Sequence, residues 1–291
     1  MTTTFLFALW AGGGNVPPQL ALARRLVLAG HRVKVLAPDV LRERVEAAGM
    51  EFEPYRSTPE HDEADPARSL LRDFEIRSTI AAAKAQRDRL LADLAQPVAE
   101  DVLAVTDREA VDVVAFDFML FGAGFAAEKA RIPAAMLVHT IYPFPAPGLP
   151  PFGNGWAPRS GLRGSVRDRL GALAFRRVWL NPLVSRLSEV RTRLGLPPSS
   201  FDDMLSALDR ILVLTSGSFD FPGTLPANVR YVGPQLEQPD ETSSWDSPWP
   251  DGDSRPLVAV SLSTTYQGQE GVARRAIEGA GRLPVRALVT A

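Results

Sequence analysis

The chain has 291 residues, 45% of them apolar and 23% charged, with a formal net charge of −2. That balance is ordinary for a soluble globular protein of one or two domains, and it argues against a nucleic-acid or acidic-surface partner. There is no cysteine, which excludes disulfides and thiolate chemistry. No stretch approaches the ~20 apolar residues of a membrane span. The Met-Thr-Thr-Thr start lacks a basic leader, so a cytoplasmic location is expected.

Residues 5–37 organise the rest of the chain. An apolar run at 5–10 has the length and type of a buried strand, and Gly12, Gly13 and Gly14 then allow a tight turn and a close backbone approach to a ligand. Asn15 is placed as a helix cap, with Pro17 and Pro18 in the first turn. A helix over 19–29 ends at Gly30, and a second strand covers 32–36. The result is a βαβ unit with its glycine loop at the carboxyl end of the first strand, where open α/β sheets bind ligands. The fold class is therefore α/β.

Further along, a short helix at 41–48 and an edge strand at 50–53 precede a polar segment, 56–65, read as a mobile loop carrying His61. Good helix formers over 67–95 predict a long helix, kinked or divided near Pro97. A strand over 111–116 ends at Asp117, a helix covers 122–130, and a strand over 134–138 ends at His139. The proline- and glycine-rich stretch 143–164 is a loop long enough to be functional or disordered. Residues 165–194 return to helix, their arginines forming a solvated face. Strands at 210–214 and 230–232 lead to Gly233-Pro234, which closes a first domain, 1–234. A polar linker, 235–255, precedes a second βαβ unit in 256–291: strand 257–262, loop 263–269, helix 271–281 and strand 285–290.

The opening unit, the segment VDVVAFDFMLFGAGFAAEKARIPAAMLVHT, the tripeptide Val232-Gly233-Pro234 and the segment RPLVAVSLSTTYQGQ come in an order that resembles the antibiotic-type glycosyltransferases, bacterial relatives of the UDP-glucuronosyltransferases with the GT-B fold. The resemblance implies an N-terminal Rossmann-like domain for an apolar natural-product aglycone and a C-terminal Rossmann-like domain for a TDP- or UDP-linked sugar. The reaction it implies inverts the anomeric carbon, with no cofactor beyond the nucleotide sugar and no required metal. A base takes the acceptor proton while glycine-loop amides and a helix N-terminus stabilise the departing diphosphate.

Two features depart from the family pattern. Where relatives place a catalytic histidine after the first strand, this chain has Asn15, and an amide is no base near neutral pH. Asp117 matches the family's partner aspartate. The donor motif, a His-Gly-Gly turn with a later acidic-Gln pair, would fall beyond Ala291, so 256–291 reads as the start of an incomplete donor domain and the chain alone as inactive.

The candidate catalytic residues are thus Asp117, Asn15 and His139, with His61 as a substitute base; His31, at the opposite strand end, is structural. To serve as a base, Asp117 needs burial to raise it from about 3.9 toward neutrality. Gly12, Gly13, Gly14, Ser263 and Thr264 are the candidate donor contacts. Trp10, Phe74, Phe118, Met119 and Tyr142, together with Phe121 and Phe144, are candidates for an apolar acceptor pocket, against core packing as the ordinary role of each. A non-catalytic acceptor-binding or auxiliary protein, working with a partner chain or a second copy, is the main alternative; an epimerase of the same fold is another. A dinucleotide enzyme is disfavoured because Pro17 occupies the third glycine of G-x-G-x-x-G.

Overall fold

A computed structural model describes residues 2–150, 152–153, 155–157, 161–236 and 246–290. Much of the expected linker, 237–245, lies outside the described residues. Seven strands, β1 (Thr4–Ala8), β2 (Arg32–Ala37), β3 (Glu51–Pro54), β4 (Val113–Asp117), β5 (Ala134–Val138), β6 (Arg210–Val213) and β7 (Val229–Tyr231), form one sheet in the order β3-β2-β1-β4-β5-β6-β7. Every pairing in it is parallel. The order reverses between β1 and β4, which makes their carboxyl ends the topological switch point and the natural ligand crevice.

Period-two alternation divides each central strand between two cores. Leu6, Ala8, Phe116, Met136 and Val138 pack with α4 (Ala95–Thr106), α5 (Phe121–Ala130) and α7 (Asn181–Arg193). Phe7, Leu9, Val35, Ala115 and Leu137 pack on the other face with α1 (Val16–Leu28) and Val45 of α2 (Arg42–Ala47). Helices α4 and α5 approach so closely at Gly122 that a Cβ there would lie 1.9 Å from the Ala95 carbonyl oxygen. A side chain at this position is incompatible with the packing of the two helices.

Several expectations are corrected. The segment 56–65 is braced: Asp101 accepts hydrogen bonds from the amides of Arg56, Ser57 and Thr58 at 2.8–3.1 Å, and the Glu63 carboxylate accepts from Ser69 and Leu70. The long helix of 67–95 is absent over its first half. Instead the chain makes turns and a short 3₁₀ segment (Asp73–Glu75), then α3 (Thr79–Ala85) continued by a π-helical stretch (Gln86–Ala92). The division expected near Pro97 is seen, with Pro97 in the first turn of α4, where it forfeits no helical hydrogen bond. The helical region after the proline-rich loop comprises α6 (Leu162–Phe175), a π-helical stretch (Arg176–Leu180) and α7. Its arginines are not all solvated. Arg191 is buried, paired with both carboxylate oxygens of Glu128 and set over the Phe125 ring. A short helix unforeseen in the sequence, α8 (Phe201–Ser206), is capped by Ser200.

Residues 257–290 form the second βαβ unit, β8 (Leu257–Ser261), α9 (Glu270–Ala280) and β9 (Arg286–Thr290), its two strands parallel. Only Ala273 of this unit is buried, while Leu257, Ile277, Leu283 and Leu288 are exposed. A two-stranded sheet with one helix buries too little apolar surface to be stable by itself. Amide hydrogens of 257–290 are therefore expected to exchange faster than those of β1, α1 and β2. Hydrogen-exchange mass spectrometry checks this, and equal protection of the two regions would contradict it.

Candidate functional site

The carboxyl end of β4 places Asp117 at the switch point with no exposed surface. Burial of a lone carboxylate is costly, so its neighbours matter. Asn15 Nδ2 donates to Oδ2 at 2.9 Å, and Gln19 Nε2 donates to the same oxygen. The Met119 amide donates to Oδ1 at 3.0 Å. His139, one residue past β5, brings Nδ1 to 3.5 Å from Oδ2, and its ring lies against Phe118 with centroids 5.1 Å apart. Burial alone would push the Asp117 carboxyl upward. The adjacent His139 imidazole, the Met119 amide and the Asn15 amide outweigh it and hold the carboxyl below its ordinary range.

That balance reverses the expectation that burial would make Asp117 a base near neutrality. Its oxygens are held by internal donors, and nothing of the side chain reaches solvent. The His139 side chain is 18% exposed against 0% for Asp117, so of this pair it is the group that can meet a ligand. Asn15 does not cap α1; its side chain turns inward, giving one amide hydrogen to the Trp10 carbonyl at 3.0 Å and the other to Asp117. Asn15 Oδ1, Gln19 Oε1 and His139 Nδ1 are buried without a hydrogen-bond partner inside the protein. Buried polar atoms are normally satisfied, and exceptions concentrate where a ligand or water completes the network.

His61 is taken out of contention. It is fully buried, its Nε2 accepting from the Ala11 amide at 3.3 Å and its Nδ1 2.9 Å from the Pro59 carbonyl. That arrangement assigns the neutral tautomer with the proton on Nδ1. Desolvation holds its pKa below the ordinary value despite the Pro59 carbonyl and the acidic residues nearby. His31 accepts from the Thr3 amide and stacks edge-on against Phe5, at the far end of its strand.

The glycine loop after β1 faces the loop after β8. Gly13 has φ +80, and a Cβ on it would come within 2.7 Å of the Thr264 carbonyl oxygen; one on Gly14 would lie 3.2 Å from the Thr264 hydroxyl. Gly12 lies against the Trp10 ring. Ser263 and Thr264 are exposed, and the Ser263 hydroxyl is 3.0 Å from that of Thr265. The structure thus brings together Gly13, Gly14 and Thr264, with Ser263 beside them. The same cleft is bridged by the Tyr266 amide, which donates to the Glu63 carbonyl at 2.8 Å, and by Gln267 Nε2, which donates to Asp73 at 3.0 Å.

An apolar cavity of about 590 Å³ is lined in part by Phe118, the residue whose ring lies against His139; His139 itself is not in its wall. Phe118, Met119, Phe121 and Phe144 line it from the sheet side, and Ile80, Trp156, Phe175 and Trp179 complete it. Of the acceptor-pocket candidates, Phe118, Met119, Phe121 and Phe144 reach this cavity. Tyr142 lines a neighbouring one, Trp10 is buried beside His61, and Phe74 stacks edge-on against Tyr266 across the cleft. Sequence reasoning missed Gln19, Trp156 and Trp179. The spacing of Gln19 four residues after Asn15, on one helix face, was the available signal. Among the described residues no cluster of three or more metal-ligating side chains occurs, and no helix is long and apolar enough to cross a membrane.

If the Asp117 network is as tight as its geometry, Asp117→Asn should cost about 1–3 kcal/mol, because it disturbs donors buried around the carboxylate. The sign with pH follows from the depressed pKa. The contribution is fully present above the ordinary value of 3.8 and is lost as pH falls through the lower folded value. Urea titrations at pH 7 and pH 3 should therefore show the difference between the two proteins shrinking in acid. An undiminished gap would overturn the assignment.

No family model matches the chain. Over 283 residues it is 32% identical to a 4'-demethylrebeccamycin synthase of Lentzea aerocolonigenes, a match covering 93% of this chain and 65% of that protein. It is 23% identical over 254 residues to the NDP-glycosyltransferase YjiC of Bacillus licheniformis, covering 87% of this chain and 56% of the relative. Among solved structures, the glycosyltransferase of kitacinnamycin superposes with a TM-score of 0.67 at 19% identity, over 99% of this chain and 66% of that one. The glycosyltransferase SsfS6 of Streptomyces sp. SF2575, solved with thymidine diphosphate, gives 0.56 at 16% identity, over 99% and 67%. The chain spans between 56% and 65% of the length of these two sequence relatives. The solved structures show the GT-B fold, and the sequence relatives bear out the resemblance to antibiotic-type glycosyltransferases.

Proposed function

We propose that this chain is part of an inverting glycosyltransferase that moves a sugar from a TDP- or UDP-linked donor to an apolar natural-product aglycone, with His139 as general base and Asp117 as its orienting partner. The observation that carries this reading is the placement of the His139–Asp117 pair against Phe118, which also lines the apolar cavity. The histidine that the family supplies from the turn after β1 is supplied here from the end of β5. Asn15, in the usual position, becomes one of the amides that hold the aspartate.

In the proposed reaction an acceptor hydroxyl held in the cavity gives its proton to the exposed edge of the His139 ring. The oxygen bonds to the anomeric carbon as the bond from that carbon to the diphosphate oxygen breaks on the opposite face, which inverts the centre. The imidazolium that forms is stabilised by Asp117, which stays ionised because its donors favour the charged form. The amides of Gly13 and Gly14 and the hydroxyls of Ser263 and Thr264 border the cleft where the negative charge of the leaving diphosphate develops, whereas the Gly12 amide is already given to the Trp10 carbonyl. Residues 256–291 are read as the opening βαβ unit of the nucleotide-sugar domain, after a first domain of 1–234 and a linker of 235–255. The auxiliary-protein reading drew on the missing histidine after β1 and on the missing donor motif, and His139 just past β5 weakens the first of these grounds.

The test uses the full-length gene product with an aliphatic alcohol and a phenol as acceptors. General-base catalysis contributes ~10²–10⁴-fold. His139→Asn should lose that much with the alcohol and much less with the phenol, which is already acidic. Asn15→Ala should act mainly through the placement of Asp117 and lose less than His139→Asn. A His139→Asn enzyme within a few-fold of the parent on the alcohol, with an unchanged thermal midpoint, would remove His139 as the base.

A further inference from the structure

A second cavity, of about 430 Å³, adjoins the one assigned to the acceptor. Phe144, Phe152, Gly153 and Trp156 line both, so the two cavities share a wall. Their chemistry differs. The larger chamber has Lys84 as its charged lining residue; the smaller has Asp220 and, among the described residues, no cationic side chain in its wall.

Asp220 is half-buried and rigidly held. Its Oδ2 accepts from the Tyr142 amide at 2.8 Å and from the Tyr231 hydroxyl at 2.5 Å, and its Oδ1 accepts from the Phe221 amide at 2.7 Å. All three donors are neutral, and among the described residues no lysine, arginine or histidine stands within ion-pair distance of it. The buried carboxylates of Glu63 and Asp101 are likewise held by neutral donors, but each is consumed in bracing a loop. Asp220 instead faces a chamber walled by Tyr142, Phe144, Phe152, Trp156 and Phe221.

A fixed negative charge among aromatic rings attracts a cation through the charge itself and through the negative faces of the rings. It repels an anion, and a neutral group gains neither contribution. We propose that the smaller chamber binds a protonated amine, so that the acceptor is a molecule with an apolar body in the larger chamber and a basic nitrogen in the smaller. Only two residues separate His139 from Tyr142, so the base and the amine site share one loop. An amine anchored at Asp220 would fix which hydroxyl of the acceptor meets His139. This rests on the larger cavity being the acceptor site, but its test involves neither donor nor transfer.

The experiment titrates the 291-residue chain with dansylcadaverine, a fluorescent aromatic sulfonamide with a pentylammonium tail, and with its neutral N-acetyl derivative. At pH 7 and low salt the cationic probe should bind at least ~10-fold tighter. Asp220→Asn should erase that preference while leaving the neutral probe's affinity within about two-fold. Equal binding of the two probes by the parent overturns the amine proposal and leaves the cavity reading intact. A preference that survives in Asp220→Asn also overturns it. Failure of both probes to bind overturns the cavity reading and the proposal together. If Asp220→Asn does not fold, the parent's preference is read again at rising ionic strength: a preference that does not weaken with salt overturns the proposal.

Discussion

A carboxylate with no contact to solvent has to be supplied with donors by the protein around it, and Asp117 obtains them from three separate parts of the chain. Asn15 donates from the turn after β1, Gln19 from the first turns of α1 and the Met119 amide from just past β4, while the His139 imidazole at the end of β5 stands 3.5 Å away. The desolvation penalty of such an ion is several kcal/mol after relaxation. The turn, the helix and the neighbouring strand are therefore tied to one point, at the place where the strand order reverses.

The same anchoring divides labour within the site. A group whose charge is held constant by its neighbours cannot also accept a proton, so chemistry passes to the partner that remains partly open. His139 has that freedom because one side of its ring meets Asp117 and Phe118 while part of the side chain stays accessible. The apolar cavity begins at the same Phe118, which joins the polar centre to the apolar space without an intervening layer.

The strands and the crevice were legible because short apolar runs ending in Asp117 and His139, and a glycine loop after the first, are written in consecutive residues. The strand at 134–138 coincides with β5. What escaped depends on partners distant in sequence. Residues 67–78 are good helix formers, but they are drawn into turns by Glu63, which accepts from Ser69 and Leu70. Arg191 looks like any surface arginine until Glu128, on another helix, is placed opposite it. His61 sits in a polar stretch and is nevertheless fully enclosed, because Asp101 folds that stretch inward. Gln19 was hidden for the converse reason: a polar residue in an apolar helix reads as an exposed face unless the buried charge it serves is known.

The contact between the glycine loop and Thr264 has a mechanical meaning. At Gly13 the glycine main chain faces the Thr264 carbonyl and hydroxyl directly, with no side chain of its own to act as a cushion. The gap there is set by the bare glycine backbone on one side and by Thr264 on the other. It can only be widened, and any residue bearing a Cβ at position 13 would wedge the loops apart while straining its own backbone. The first unit and the second are thereby held at a fixed gauge. The tolerance of the cleft is written into the one residue type that has nothing to compress.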